Sequence, residues 1–215
     1  MKKIILSTSI ALLLMTNISY ADTKTSEQIK VEKDYQQKMD KANKVLDNAN
    51  DALSKNYKRH GMFHSTVAED YKVISEAYFT LGKLDESIDY SLHALKVEMK
   101  LQKENNPSLA KLYFDTGNKY YMHKQHPTAI LYMKKALEIY KNSPEKDPLV
   151  ISDIYESIAS VYINLEDYQK SLDYEDKCLS IRQKHLKKDN ESLKRAQMNI
   201  KYLNEELQKN KNKVQ

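Results

Sequence analysis

The sequence predicts an all-α protein: antiparallel helical hairpins stacked as an α-solenoid and closed by a C-terminal capping helix. Three observations carry that expectation. Chain breakers are scarce, with 3 Gly and 4 Pro in 215 residues, which suits long helices joined by short connections. Residues 78–90 and 162–174 match at an offset of 84, and residues 120–132 carry the same pattern halfway between, so the period is 42. Stacking the units then gives columns of constant character. Tyr71, Tyr113 and Tyr155 form one, and Tyr78, Tyr120 and Tyr162 another. Between them Ser75, Gly117 and Ala159 are always small. Large residues at i and i+7 with a small one at i+4 describe one helix face. The second half of each unit repeats this with Ser87, Ala129 and Ser171, then Tyr90, Tyr132 and Tyr174, then Ala94, Ala136 and Cys178, then Leu95, Leu137 and Leu179.

From the N-terminus, residues 1–21 read as a signal peptide. Lys2 and Lys3 precede a short uncharged apolar stretch, and Ser19-Tyr20-Ala21 supplies the small–large–small pattern of a cleavage site. A membrane anchor needs about 20 apolar residues, and Ser7, Thr8, Ser9, Thr16 and Asn17 dilute this stretch. Residues 22–64 are expected to be a helical segment. Shifting the second-half pattern back by 42 places Val45, Ala52 and Leu53 under Ser87, Ala94 and Leu95, which makes residues 25–57 a degenerate first hairpin. Three strong units follow, at 65–106, 107–148 and 149–190. Their first helices should end near Leu81, His123 and Leu165. Gly82 suits a helix C-terminus, Pro127 the first turn of the next helix, and Pro107 and Pro148 separate successive units. Leu193, Ala196, Ile200, Leu203 and Leu207 then space an amphipathic helix over residues 191–208, the cap that an array needs at its last hairpin. Residues 209–215 read as a basic disordered tail.

The columns described above (a large aromatic, a small residue four later, an aromatic three after that, and two small positions in the second helix) resemble the tetratricopeptide repeat. The 42-residue period and segments such as 162–179 are similar to the longer variant of kinesin light chain and related bacterial proteins. A Lys-, Asn- and Tyr-rich composition behind a Met-Lys-Lys start resembles bacterial exported chains. The resemblance implies a right-handed superhelix whose first helices line a groove for a peptide or protein segment. It leaves the partner open, because one fold serves many functions. The clamp by which some family members hold a peptide carboxylate needs Lys, Asn, Asn, Lys and Arg. Those positions hold Lys72, Glu76, Asp115, Asp153 and Ser157 here, so the clamp is absent. The Asn-Asn pair of kinesin light chain repeats is replaced by Lys72-Val73, Phe114-Asp115 and Glu156-Ser157.

What remains in the expected groove is particular to this chain. Phe79, Tyr121 and Ile163 form a column with Phe114 and Met122 beside it, and Lys72, Glu76, Lys111, Asn118, Asp153 and Glu156 surround them. An apolar strip with a mixed polar rim can receive a helix or an extended peptide. Equally, these side chains can pack between adjacent first helices. The expected function is therefore an exported interaction module or scaffold that holds a protein or peptide segment. The alternative is a structural, self-associating protein whose groove is filled by another copy or by its own N-terminal segment. Export would carry the chain across an inner membrane, into a periplasm or out of the cell.

Other chemistries find little support. Without Lys2 and Lys3 the formal charge falls from +5 to +3, with both signs mixed along the chain, unlike the concentrated basic face of a nucleic-acid binder. After leader cleavage no segment is apolar enough to hold the chain in a membrane. Cys178 is the single cysteine, so no intramolecular disulfide exists; its column predicts a small buried residue. His60 with His64 and His123 with His126 read as exposed loop histidines, two ligands short of a stable zinc site. Asp85-Glu86 and Glu166-Asp167 fall where second helices start and suit the helix dipole. No Gly-rich phosphate loop, nucleophile elbow or His-Glu-x-x-His run occurs in the sequence. We expect no enzyme, no cofactor and no metal.

Overall fold

The computed structural model of the chain describes residues 25–101 and 106–214, so the expected leader lies outside the described residues. These form eight α-helices and, among the described residues, no strand. They are α1 Ser26–His60, α2 Ser65–Thr80, α3 Leu84–Leu101, α4 Pro107–Met122, α5 His126–Asn142, α6 Pro148–Asn164, α7 Tyr168–His185 and α8 Glu191–Val214. None is long and apolar enough to cross a membrane.

The chain divides into two units, Met1–Lys38 and Met39–Gln215. In the first, the described residues are the opening turns of α1, where Ile29, Val31 and Tyr35 are exposed. The second holds the rest of α1, the hairpins α2/α3, α4/α5 and α6/α7, and then α8. Within it each helix from α2 to α7 packs chiefly on its hairpin partner. Successive hairpins join through α3 on α4 and α5 on α6, and α8 takes the corresponding place on α7.

The turns inside the hairpins are one motif used three times. Leu81, His123 and Leu165 are the C-caps of α2, α4 and α6. The next residue in each case, Gly82, Lys124 or Glu166, has φ of 75°, 61° or 56°. The amide after that returns to the carbonyl five residues back: Lys83 to Tyr78 at 3.0 Å, Gln125 to Tyr120 at 2.9 Å and Asp167 to Tyr162 at 3.0 Å. This is the Schellman geometry, which satisfies carbonyls that a helix end leaves unpaired. Helix starts are equally local. Asn106 and Asp147 accept from the Ser108 and Leu149 amides ahead of Pro107 and Pro148, each proline sitting where its missing N–H costs nothing. Pro148 is thus the first residue of α6, one ahead of the expected unit boundary.

The small columns are where two helices touch. Ser87, Ala129, Ser171, Ala94, Ala136, Cys178 and Ala159 are completely buried, and Ser75 is nearly so. In the first hairpin Ser75 Oγ donates to the Ser87 carbonyl at 2.6 Å and Ser87 Oγ donates to the Ser75 carbonyl at 2.7 Å. In the third, Ser171 Oγ donates to the Ala159 carbonyl at 2.9 Å. In the second no hydroxyl is present: a Cβ on Gly117 would lie 2.9 Å from Met133 Cγ and 3.2 Å from the Ala129 carbonyl oxygen. Methionine fills the space that glycine leaves.

The tyrosines form a three-ring cluster in each hairpin. Tyr90 lies 6.0 and 5.4 Å from Tyr71 and Tyr78, Tyr132 lies 5.9 and 5.0 Å from Tyr113 and Tyr120, and Tyr174 lies 5.9 and 5.7 Å from Tyr155 and Tyr162. Only Tyr113, Tyr155 and Tyr162 are buried; the others are half-buried, so the columns are less fully core than their repetition suggests. A phenol keeps its hydroxyl near water while its ring packs. Tyr120, packed against Tyr132, has its pKa pushed up to about 12 by burial first and by Tyr132 second.

Three expectations need correction. Residues 25–57 are no hairpin: α1 is one unbroken helix, because neither Gly nor Pro occurs between Ser26 and His60. Its buried residues are Ala42 and Ala49, whereas Val45 is exposed, so the 42-residue shift misplaced the register. The basic tail is helical as far as Val214, with Lys209 paired to Glu206 one turn back at 2.7 Å. The histidines are not loose loop residues. His64 caps α2 by accepting from the Thr66 amide, its ring stacked at 4.1 Å on His60, the last residue of α1. His123 is a C-cap whose Nε2 lies 2.9 Å from Asp85 Oδ1, and His126 is a half-buried first residue of α5.

Candidate partner-binding face

The first helices α2, α4 and α6 carry all eleven residues expected to line the groove, and the structure divides them into three groups. Lys72, Glu76 and Lys111 line a cleft of about 510 Å³ between α2 and α4. Its wall also includes Glu69, Asp115 and Lys119, which alternate in charge with the first three, and its floor includes Ser75, Ser91 and Leu112. Most of the charges are already paired. Lys72 Nζ donates to Glu98 Oε1 at 2.7 Å and to Glu69 Oε2 at 3.3 Å, Lys111 reaches Asp115, and Lys119 Nζ lies 3.5 Å from Glu76 Oε2. Partial burial opposes the Lys72 ammonium, yet Glu98 and Glu69 hold its pKa above the ordinary value.

The apolar column lies further along, and much of it bridges neighbouring first helices. Lys119, itself buried, sits 5.4 Å from the centre of the Phe79 ring. Asn164 at the end of α6 donates to the Tyr121 hydroxyl. Phe114 packs on the core, Asn118 and Ile163 are half-buried, and Met122 is exposed. Phe79 and Tyr121 therefore tie hairpins together, which was one of the two readings open from sequence.

Asp153 and Glu156 have a different role. Arg182 of α7, 1% exposed, donates through Nη2 to Asp153 Oδ1 at 2.7 Å and to Glu156 Oε2 at 2.8 Å. Arg195 of α8 adds two bonds to Glu156, at 2.6 and 3.0 Å. Burial pushes the Glu156 carboxyl up, but the two guanidinium groups hold its pKa below the usual range. At this end of the face α8 covers Glu156, while Asp153 stays exposed.

Lys119, Glu98, Arg182 and Arg195 escaped the sequence reading. Lys119 stands in a column with Ala77 and Val161, where a buried apolar residue is expected. Glu98 and Arg182 did leave a signal. They are 84 residues apart, each 26 residues beyond its partner, Lys72 or Glu156, with the charges exchanged. Cys178 is completely buried, and burial first of all pushes its thiol up to about 12. Among the described residues no group of three potential metal ligands occurs.

Regular hairpins, capped alike and joined through one kind of contact, define a helical-repeat protein of the α-solenoid class. Tetratricopeptide-repeat profiles match residues 71–142 and 152–191, together more than half of the sequence. The chain belongs to the tetratricopeptide-repeat family. Among solved structures it is similar to a kinesin-light-chain candidate of Podosopora anserina with nearly identical TPR-like repeats. That match has 12% identity and a TM-score of 0.67, and covers 82% of this chain and 88% of that one. It is also similar to BtubC (BKLC) of P. vanneervenii, with 13% identity, a TM-score of 0.61 and coverage of 80% and 84%. A third similar structure, MamA, has 17% identity, a TM-score of 0.51 and coverage of 90% and 99%. At these identities the likeness is one of fold. No curated protein matches.

Proposed function

We propose that the chain is a non-enzymatic interaction module that holds a segment of a partner protein along α2 and α4. The carrying observation is the charge-alternating cleft of about 510 Å³ between these helices. The family's fold is typical of protein–protein interaction modules, and the far end of the face, at Asp153 and Glu156, is occupied by Arg182 and Arg195. The open α2–α4 end is therefore the place for a segment whose own charges alternate, since it can add contacts to Glu76, Lys111 and Asp115, which stay exposed beside the pairs they already make. The partner is a protein or peptide, with no nucleic acid or membrane involved.

The test is chemical cross-linking and capture from the source cells with the full-length chain, beside a Ser108→Arg, Lys111→Glu variant. Both substitutions lie in the cleft wall and leave Phe79, Tyr121 and their ties untouched. A protein captured by the native chain and lost from the variant supports the reading. Identical capture by both would sink it, and a mass that rises with concentration in the absence of any partner would favour self-association. Export is proposed from residues 1–21; a mature N-terminus at Met1 rather than Asp22 would refute leader cleavage.

A further inference from the structure

The junction between α7 and α8 contains one carboxyl too many. Arg182 and Arg195 face Asp153 and Glu156, and these four charges satisfy one another. Glu175 of α7 is completely buried beside them. Its Oε1 accepts from Asn199 Nδ2 of α8 at 2.7 Å, and its Oε2 has no partner. The same position holds Ser91 in the first hairpin and Met133 in the second, so the repeat does not require an acid there. A buried carboxylate served by a single amide lacks the donors that an anion needs, whereas the neutral acid is tolerated far better.

We infer that Glu175 makes the docking of α8 pH-dependent, α8 being held firmly while this carboxyl is neutral and loosened when it ionises. Every charged group around the carboxyl has a stated role. Glu156 of α6 opposes ionisation, and Arg182 of α7 and Arg195 of α8 favour it but are engaged elsewhere. Asp153 of α6 is spent on Arg182, and Cys178 of α7 is a neutral thiol. Burial, the largest cause, raises the Glu175 pKa to about 7 from the ordinary 4.5. A carboxyl raised in the docked state favours docking fully below the undocked value and loses that contribution as pH rises through the docked value. The window therefore runs from about pH 4.5 to pH 7.

Cys178, one turn from Glu175, is the only cysteine and is buried in the same junction, so its thiol reports opening. The full-length chain and Glu175→Gln are reacted with 4,4′-dithiodipyridine from pH 4.5 to 8, and the rate ratio at each pH cancels the intrinsic thiol chemistry. The wild-type rate relative to Glu175→Gln should rise by up to about 300-fold across the pH range, since each of the about 2.5 units of pKa difference is worth tenfold in the opening equilibrium. Glu175→Met, which copies the second hairpin, should behave as Glu175→Gln and guards against misfolding of either variant, with helicity checked by circular dichroism. A ratio that stays constant with pH for both variants overturns the inference.

Discussion

The junction of the first hairpin with α4 and the junction of the third hairpin with α8 are built on one backbone plan with opposite electrostatics. In the first, Lys72 of α2 meets Glu98 of α3; in the third, Glu156 of α6 meets Arg182 of α7. The positions are equivalent, 84 residues apart, and the signs are exchanged. In the second hairpin the same two positions hold Phe114 and Tyr140, both packed against the core. The columns that repeat (Ser75, Gly117 and Ala159, or Ala94, Ala136 and Cys178) fix how two helices approach. The columns that do not repeat give each junction its own chemistry. A solenoid's stability is mostly the sum of nearest-neighbour terms, and these non-repeating pairs, each inside one hairpin, make those terms differ along the array.

The two junctions should differ most when their cations are removed. Arg182 is 1% exposed and binds two carboxylates as well as the Ser192 carbonyl. Arg182→Met should cost about 3–5 kcal/mol, as expected when one partner leaves a buried ion pair. Lys72→Met strands the buried Glu98, but the Lys72 side chain is 26% exposed and water can take its place. About 1–3 kcal/mol is expected there. Urea unfolding of the full-length chain measures both; equal losses would mean that burial does not distinguish the junctions.

The central hairpin gives the next test, because it alone joins its helices without a hydroxyl. Gly117→Ala places a methyl 2.9 Å from Met133 Cγ and 3.2 Å from two backbone atoms of α5, and should cost about 1–3 kcal/mol. Met133→Ala in the same chain should recover part of the loss, since the flexible thioether is the nearest clash. A second substitution that only adds to the first would place the strain in the backbone of α5 instead.

How far the sequence could be read follows from the same division. The three hairpins were legible because buried small residues recur every 42 positions, and nothing but close helix contact imposes that repetition. The failures fall where repetition stops. For α1 the shift by 42 put Val45 inward, while the structure buries Ala42 and Ala49; the absence of any Gly or Pro before Gly61 was the better guide to a single long helix. In the candidate site, Lys72, Glu76 and Lys111 line an open cleft. Glu156, on the same helical face, is covered by Arg195, while Asp153 stays exposed beside Arg182, and only the order of elements, with α8 following α7, decides that. Lys119 was missed because a buried lysine among Ala77 and Val161 contradicts its own column. Its ammonium lies over Phe79 and near Glu76, contacts that only the assembled junction supplies.

The smallest expected effect lies in the turns, where the three hairpins share one geometry with different residues. Gly82, Lys124 and Glu166 all have positive φ, at 75°, 61° and 56°, a region that costs a residue with a Cβ about 1–2 kcal/mol relative to the right-handed one. Only the first hairpin uses the residue that avoids this cost. Lys124→Gly and Glu166→Gly should each stabilise the chain by about 0.5–1 kcal/mol, part of the relief being offset by the greater freedom of glycine in the unfolded chain. Gly82→Ala should destabilise it by about 1 kcal/mol, although no atom lies within 4 Å of the added methyl. Opposite signs at equivalent positions separate backbone strain from packing. If Lys124→Gly were destabilising, the lysine side chain would be contributing more than its conformation costs.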